Sequence, residues 1–450
     1  MDRRKFLLSA TAFTVSSAPV LASLGTPTLR GTIDASHLGM RPGAVDDQSR
    51  TLQKAIKQAV RDERPLYLPP GRYHVSNLTL PSGAHIVGVP GATRLTYGGR
   101  GHLMFAEGAE RVRLQGLTFD GVNRPLGAHV SGLVHIRESK RLIIDDCEVL
   151  GSTKHGITLE RVEGRINHTR ITGATEAGIY SVEANGLEIS SNTVADCGNG
   201  GILVHRWKQG EDATIVTSNR IERIQSTNGG TGQFGNGINI FRANNVIVSN
   251  NRIADCAFTA VRSNAGSNVQ IIGNNCMRSG ETGIFSEFEF QGAIVSNNIV
   301  DGAANGIVLA NFMQGGRMGV VSGNVVRNMK TTAPYYDENE TFGNGIFVEA
   351  DTTVTGNVIE NAPAHGLLLG WGPYLRNVSA TGNVIRDARV GISVSVVEGA
   401  RSTVIADNII RSTREGAIVG YRWHKPVTRD LAVSGADKWS HLSILRNRVS

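Results

Sequence analysis

Aromatic side chains make up only 6% of the 450 residues, and proline supplies just 13 of them. So little proline beside 54 glycines argues against both a collagen repeat and a disordered chain. Cysteine is equally scarce. Cys147, Cys197, Cys256 and Cys276 stand far apart without CxxC spacing, which argues against a zinc ribbon or a thioredoxin-like motif and predicts buried free thiols. No metal-ligand cluster or phosphate-cradling glycine loop occurs. Beyond residue 22 no apolar run is long enough to cross a bilayer. What the chain has in quantity is glycine, and glycine without disorder-promoting proline means many tight turns.

Those turns recur. A Gly-apolar-x-apolar unit begins at Gly156, Gly178, Gly201, Gly237, Gly283, Gly306, Gly345, Gly366, Gly391 and Gly416, with Ala260-Val261 filling the one missing beat. Between these units come Asn-x-apolar units at Asn192, Asn219, Asn251, Asn275, Asn298, Asn324, Asn357, Asn383, Asn408 and Asn447. Two marks in each period of a little over twenty residues predict short strands and turns wound into coils, and the LxxLxL signature of leucine-rich repeats is missing. A parallel β-helix remains. Its coils would stack about 4.8 Å apart, so that asparagines could bond in a column while adopting the left-handed turn conformation, and glycine would relieve positive φ at another corner. Upstream, Asp46 or Asp47 is a candidate N-cap for an amphipathic helix over about 48–61 with Leu52, Ala55, Ile56 and Ala59 on one face. Its expected use is to cover the open edge of the first coil, and YRWHKPVTRDLAVSGADKW is the expected cover at the other end.

Two stretches carry a resemblance. GMRPGAVDDQSRTLQKAI followed by LYLPPGRYHV resembles the opening of pectin-lyase-like right-handed β-helix proteins, and the repeats extend that likeness over about residues 30–450. MDRRKFLLSATAFTVSSAPVLAS has a basic start, an apolar core and small residues suited to signal peptidase, and its DRRKFL resembles the twin-arginine export motif. Together they resemble a family of twin-arginine-translocated β-helix repeat proteins without an assigned activity. The expectation is an all-β chain: one right-handed parallel β-helix of pectin-lyase-like type with a short N-terminal capping helix. Residues 1–22 would be the signal, 23–78 the cap and first strands, and 79–450 the solenoid, with insertions at about 225–235, 328–343 and 421–438. Losing the signal removes one acidic and three basic residues, which lowers the formal charge by two, from +7 to +5. The implied address is periplasmic or extracellular, reached through the twin-arginine translocase. A monomer without a membrane span is expected there, with acidic polymers rather than nucleic acid as partners.

The resemblance to the pectin-lyase-like class implies that ligands would lie across an outward strand face. Two residues beyond each repeat glycine a first outward column would run through Thr158, Tyr180, Leu203, Asn239, Arg262 and Phe285 to Ser393; four beyond, a second would hold Glu160, His205, Asn264, Glu287 and Glu349. Polar groups gather in the middle coils, beside insertions that carry Tyr335 and Tyr336. Three chemistries fit an acidic polysaccharide bound there. A lyase, as the resemblance to pectate lyases implies, would use Arg262 as base, with Glu287 and Glu289 holding Ca2+. An inverting hydrolase would use Glu287 and Glu349, two coils or about 9.6 Å apart at the backbone. An epimerase would add a proton donor such as His205 or Tyr335. Asn239, Asn264, Glu289, Tyr336 and the remaining groups would bind substrate. No cofactor is evident apart from that Ca2+. The Gly-His-Gly and paired aspartates of polygalacturonases are missing, and Asp145-Asp146 align with the turn pair Ser190-Ser191. His155 and His365, each just before a repeat glycine, read as turn hydrogen-bonders, while Trp207 and Trp371 offer sugar-stacking faces. The competing expectation is a non-catalytic glycan-binding or envelope scaffold.

Overall fold

The computed structural model describes residues 31–230, 232–336 and 342–450. The expected export signal lies outside them, as do Asp337, Glu338 and Glu340 of the second insertion. The described chain winds into a parallel β-solenoid of about 13 turns. Its strand register is the one that the repeat marks predict. Tyr180 pairs with Leu203, Leu203 with Asn239, Asn239 with Arg262 and Arg262 with Phe285. The series continues through Val308, Phe347 and Leu368 to Ser393. Alternate residues fill the interior: Ile157, Ile179, Ile202, Ile238, Val261, Ile284 and Ile307 are wholly buried. Each such aliphatic side chain contributes about 1.5–3 kcal/mol by leaving water.

The asparagine column exists, with one change of member. It runs from Asn192 through Asn219 and Asn251 to Asn274, then Asn298 and on to Asn447. Asn274, not Asn275, is the rung, because the residue two beyond it, Cys276, is the buried one. Each rung is fully partnered. Asn298 donates from Nδ2 to Asn324 Oδ1 at 3.0 Å and to the Ile271 carbonyl at 2.9 Å, while its Oδ1 accepts from the backbone and side-chain amides of Asn274. Left-handed φ belongs to the residue before the rung, as at Asn250, Gly273, Asn297 and Gly323, so the asparagine is selected for its amide and not for its backbone.

The repeat glycines also act differently from expectation. Only Gly416 among them has positive φ. A Cβ on Gly306 would come within 2.2 Å of the Gly345 carbonyl and 2.4 Å of a Val326 methyl. Close approach of coil to coil is what demands glycine there.

At the first edge the helix Ser49–Arg61 buries Leu52, Ala55, Ile56 and Ala59 against the opening strands; its cap position is Gln48 and not Asp46 or Asp47, though Asp47 Oδ1 accepts the Ser49 N–H at 2.8 Å. At the far edge Lys425–Asp430 folds back antiparallel onto Ile409–Arg422, pairing Val419 with Asp430 and Arg422 with Lys425. The Asp430 carboxylate accepts the N–H groups of Ala417 and Ile418, which would otherwise lie on an open strand. All four cysteines are free and buried, and burial pushes the thiols of Cys147, Cys197 and Cys276 up to about 12.

Adjacent asparagines should therefore behave oppositely. Asn274→Ala strands several buried polar groups of Asn251, Asn298 and Val248 at about 1–3 kcal/mol apiece, whereas Asn275→Ala should cost about 1 kcal/mol or less. Denaturant midpoints of the two variants check this; a larger loss at Asn275 would contradict the register.

Candidate functional site

On the outward face a cavity of about 630 Å³ runs from the coil of Arg262 to that of Tyr421. Six pairing steps of about 4.8 Å separate those strands. The cavity lies closer to the C-terminal end than the repeat pattern implied. One wall is Tyr335 and Tyr336 of the second insertion; another is Trp371 with Trp423 and His424 from the terminal hairpin. No described residue of 225–235 lines it. Phe285, Val308, Phe347 and Leu368 make an apolar floor, all in the first outward column.

Arg262 is buried at the upper end, 6% exposed, and each of its three guanidinium nitrogens is engaged by a carboxylate. Nε and Nη2 form a fork to Glu287 at 2.6 and 2.9 Å, and Nη1 reaches Glu281 at 3.1 Å. The guanidinium also sits 4.9 Å from the centre of the Phe285 ring. Burial works against its charge, but the charges and hydrogen bonds of Glu287 and Glu281 prevail and raise its pKa, so Arg262 is not placed to withdraw a proton. Glu287 is equally committed: besides the fork it accepts from Asn264 Nδ2 at 2.9 Å. Glu281, which the column pattern omits because it precedes the repeat glycine, accepts from Thr259 Oγ1 at 2.8 Å and from the Tyr335 hydroxyl at 3.1 Å. Tyr335 thus ties the inserted loop to the buried charges, while Tyr336 is 90% exposed at the rim.

Several expected members stand elsewhere. The strand carrying Glu287 ends with it; Phe288 and Glu289 follow at φ 48° and 39°, and the side chain of Glu289 is exposed and does not line the cavity. The alternation in GIFSEFEF breaks because this corner is a left-handed turn and not more strand. Glu287 and Glu289 therefore do not form a calcium chelate, and the oxygens of Glu287 already face Arg262 and Asn264. No step through a metal follows from these residues. His205 belongs to the N-terminal half of the face, edge-on to Tyr180 and Phe241, with burial pushing it down to about 4. Asn239 is buried and donates to the Gln233 carbonyl. Neither lines the cavity. Trp207 is exposed beneath Arg161, outside it. Asp145 pairs with Asn167 and so with Ser190 as the last residue of its strand, and only Asp146, with left-handed φ, is a turn residue.

Glu349 has the opposite surroundings. It is 5% exposed in the second outward column, and Oε2 accepts the Phe312 N–H at 2.6 Å. Burial pushes its carboxyl up to about 7, only partly offset by the backbone amides of Phe312 and Asn311. Phe312 opens a short helical turn, Phe312–Gln314, and Arg376 stacks on its ring. His365 also lines the cavity, held by Asn344 at 2.7 Å and kept neutral by burial, with its pKa near 4. Sequence reasoning left Glu281, Trp423 and Tyr421 unassigned. A tryptophan within an insertion was the one visible signal for the hairpin wall.

Residues 94–221 and 209–385 match the profile of the right handed beta helix region. The chain belongs to that family. No curated protein matches it. Among solved structures it is similar to bacteriophage phi29 gene product 12. The N-terminal fragment of that protein is 16% identical at a TM-score of 0.55, covering 86% of this chain and 68% of that one. The pre-mature form, also 16% identical, gives 0.56 and covers 93% of this chain, which spans only 57% of it. The Dettilon tailspike protein follows at 0.49 and 15% identity, covering 85% and 69%. At such identities the likeness is one of fold.

The Glu349 carboxyl makes stability depend on pH. The unfolded side chain loses its proton near 4.5 and the folded one near 7, so between these values the folded state holds the extra proton. Its contribution is complete below pH 4.5 and lost as pH rises through 7, on the order of 3 kcal/mol in all. Relative to Glu349→Gln, the natural protein should weaken by about that amount between pH 4.5 and 8 in urea titrations. Parallel pH profiles would refute the placement.

Proposed function

We propose that this β-helix protein is exported and hydrolyses glycosidic bonds of a polysaccharide in the cavity between Arg262 and Trp423. The observation that carries the reading is Glu349: a buried carboxyl, protonated near neutral pH, in a long apolar trough edged by Trp371, Tyr421 and Trp423. Aromatic faces suit the apolar faces of sugar rings, and a carboxylic acid with a raised pKa suits protonation of a glycosidic oxygen. The acidic character of the substrate rests on Arg389. Arg262 is neutralised internally, whereas Arg389 has its nearest carboxylate, Glu415, at 3.9 Å and a buried Nε without a partner among the described residues. Residues 1–22 resemble a twin-arginine signal, which supports a place outside the cytoplasm where such polymers occur.

The internally paired Arg262 cluster favours a second reading. With both carboxylates occupied, that end of the trough offers rigidity and not chemistry, as a glycan-binding scaffold would.

Purified protein incubated with alginate, pectate and neutral exopolysaccharides should release new reducing ends without unsaturated uronate. Glu349→Gln should lower turnover by about 100-fold or more while glycan binding stays within about threefold. Turnover should fall as pH rises past 7, where Glu349 loses its proton. Binding without products from any polymer would replace the hydrolase by the scaffold.

A further inference from the structure

Three of the four tryptophans stand on one corner of the solenoid. His205 and Tyr421 belong to the same outward column, through the register that joins their strands. Trp207 comes two residues beyond His205 and Trp423 two beyond Tyr421, while Trp371 follows Gly370 of that column by one. All three therefore occupy the turn along one side of the outward face. Trp371 and Trp423 wall the cavity at its lower end, and Phe288, one residue beyond Glu287, lines it from the same turn. Trp207 lies up the same edge, beyond the cavity. Two pairing steps of about 4.8 Å put its coil about 10 Å above that of Arg262, and eight steps put it about 38 Å above that of Trp423.

The fold presents Trp207 on a bulge built for it. From His205 to Gly210 the strand takes five residues where its partner takes two, from Phe241 to Ala243, so three extra residues stand out from the edge. Hydrogen bonds fix that bulge to three coils. The Trp207 N–H donates to Glu183 Oε1 at 2.7 Å in the coil before. Its carbonyl accepts from Arg242 Nη1 at 2.9 Å in the coil after, and Gln209 Nε2 donates to the Ala265 carbonyl at 2.8 Å one coil further on. None of these bonds uses the indole. Arg161 lies over the ring, 5.4 Å from its centre, and the residue still keeps 53% of its surface exposed. Apolar surface left in water on so firmly held a backbone adds nothing to the core, and it is already ordered for a partner.

We propose that Trp207 is a second sugar-stacking platform, and that a long polysaccharide lies along the solenoid axis from Trp423 through the cavity to Trp207. This rests on the glycan-binding cavity of the reading above and not on hydrolysis within it. A sugar ring sets its apolar face on the face of the indole turned away from Arg161, as others do on Trp371 and Trp423. The ligand is a polymer because of the distance. An oligosaccharide of two or three rings fills part of the cavity and leaves Trp207 free, whereas a chain that spans about 38 Å engages both ends. Once one end is bound, the second contact forms within the complex, so the two together hold a polymer more tightly than either holds a short chain. The pinned bulge adds to this, since little backbone order is lost when the sugar arrives.

Two measurements on the full chain test this. With 5-fluorotryptophan incorporated, the four tryptophans give separate ¹⁹F signals, assigned by single Trp→Phe variants. Alginate, pectate or a neutral exopolysaccharide should shift the signals of Trp207, Trp371 and Trp423 and spare that of Trp439, whereas trisaccharides of the same polymer should spare Trp207 as well. In affinity electrophoresis through the same polymers, Trp207→Ala should weaken binding at least tenfold and Trp207→Tyr should recover most of it. Binding of trisaccharide and the denaturant midpoint should stay at the values of the natural protein, which a merely structural role for the indole would not allow. If polymer shifts Trp371 and Trp423 but not Trp207, or Trp207→Ala binds polymer within twofold of the natural protein, the platform falls and the cavity reading stands. If Trp207 responds and no polymer yields reducing ends, the platform stands and the hydrolase falls. If no polymer moves any signal, both fall.

Discussion

Every feature of this protein depends on one spacing, the distance of about 4.8 Å at which each coil settles on the last. The asparagine column holds that spacing along one corner, where each buried amide donates to the next and accepts from the one before. The repeat glycines permit it at another corner, since a methyl group on Gly283 would meet Val300 at 2.3 Å and the Gly306 carbonyl at 2.7 Å. Between the corners, isoleucine and valine columns exclude water from the interior. None of these devices is stable in a single coil. Each needs the neighbouring copy, which is why the helix at one end and the antiparallel hairpin at the other accompany the solenoid.

The same stacking gives identical positions different chemistry. Glu287 and Glu349 occupy one outward column, two coils apart. Arg262 and Asn264 project from the coil before Glu287 and take up its oxygens. Glu349 has Phe312 and Asn311 backbone amides and no cation among its described partners, so burial governs it and the proton stays on. A carboxylate matched by a guanidinium is a structural tie, and an unmatched one in an apolar trough is a proton donor in waiting. His365 shows the complementary effect. Burial that favours the neutral acid also favours the neutral imidazole, one nitrogen of which is held by Asn344.

The hairpin joins stability to the site. Lys425–Asp430 pairs with the outer edge of Ile409–Arg422, and the turn that reverses the chain presents Trp423 and His424 to Trp371, with ring centres 5.6 and 4.5 Å apart. An element that covers a strand edge thereby also builds the lower wall of the cavity. The tie from Tyr335 to Glu281 does the same for the inserted loop on the other side.

The repeat marks were enough to determine the solenoid, the outward columns, the capping helix and the burial of all four cysteines, because period-two alternation and stacked turns are local properties repeated along the chain. Where two asparagines stood together, the marks chose Asn275 over Asn274, since only the inward neighbour Cys276 distinguishes them. They carried GIFSEFEF straight on as strand, because a left-handed turn at Phe288 and Glu289, neither of them glycine, leaves no composition signal. The location of the cavity, the pairing of Arg262 with Glu281, the lone carboxyl of Glu349 and the hydrogen bond of His365 to Asn344 were decided by tertiary structure alone. Each depends on which side chains from coils twenty to fifty residues apart end within hydrogen-bond reach, and on how much water the loops exclude around them, and neither quantity is written at any one position of the sequence.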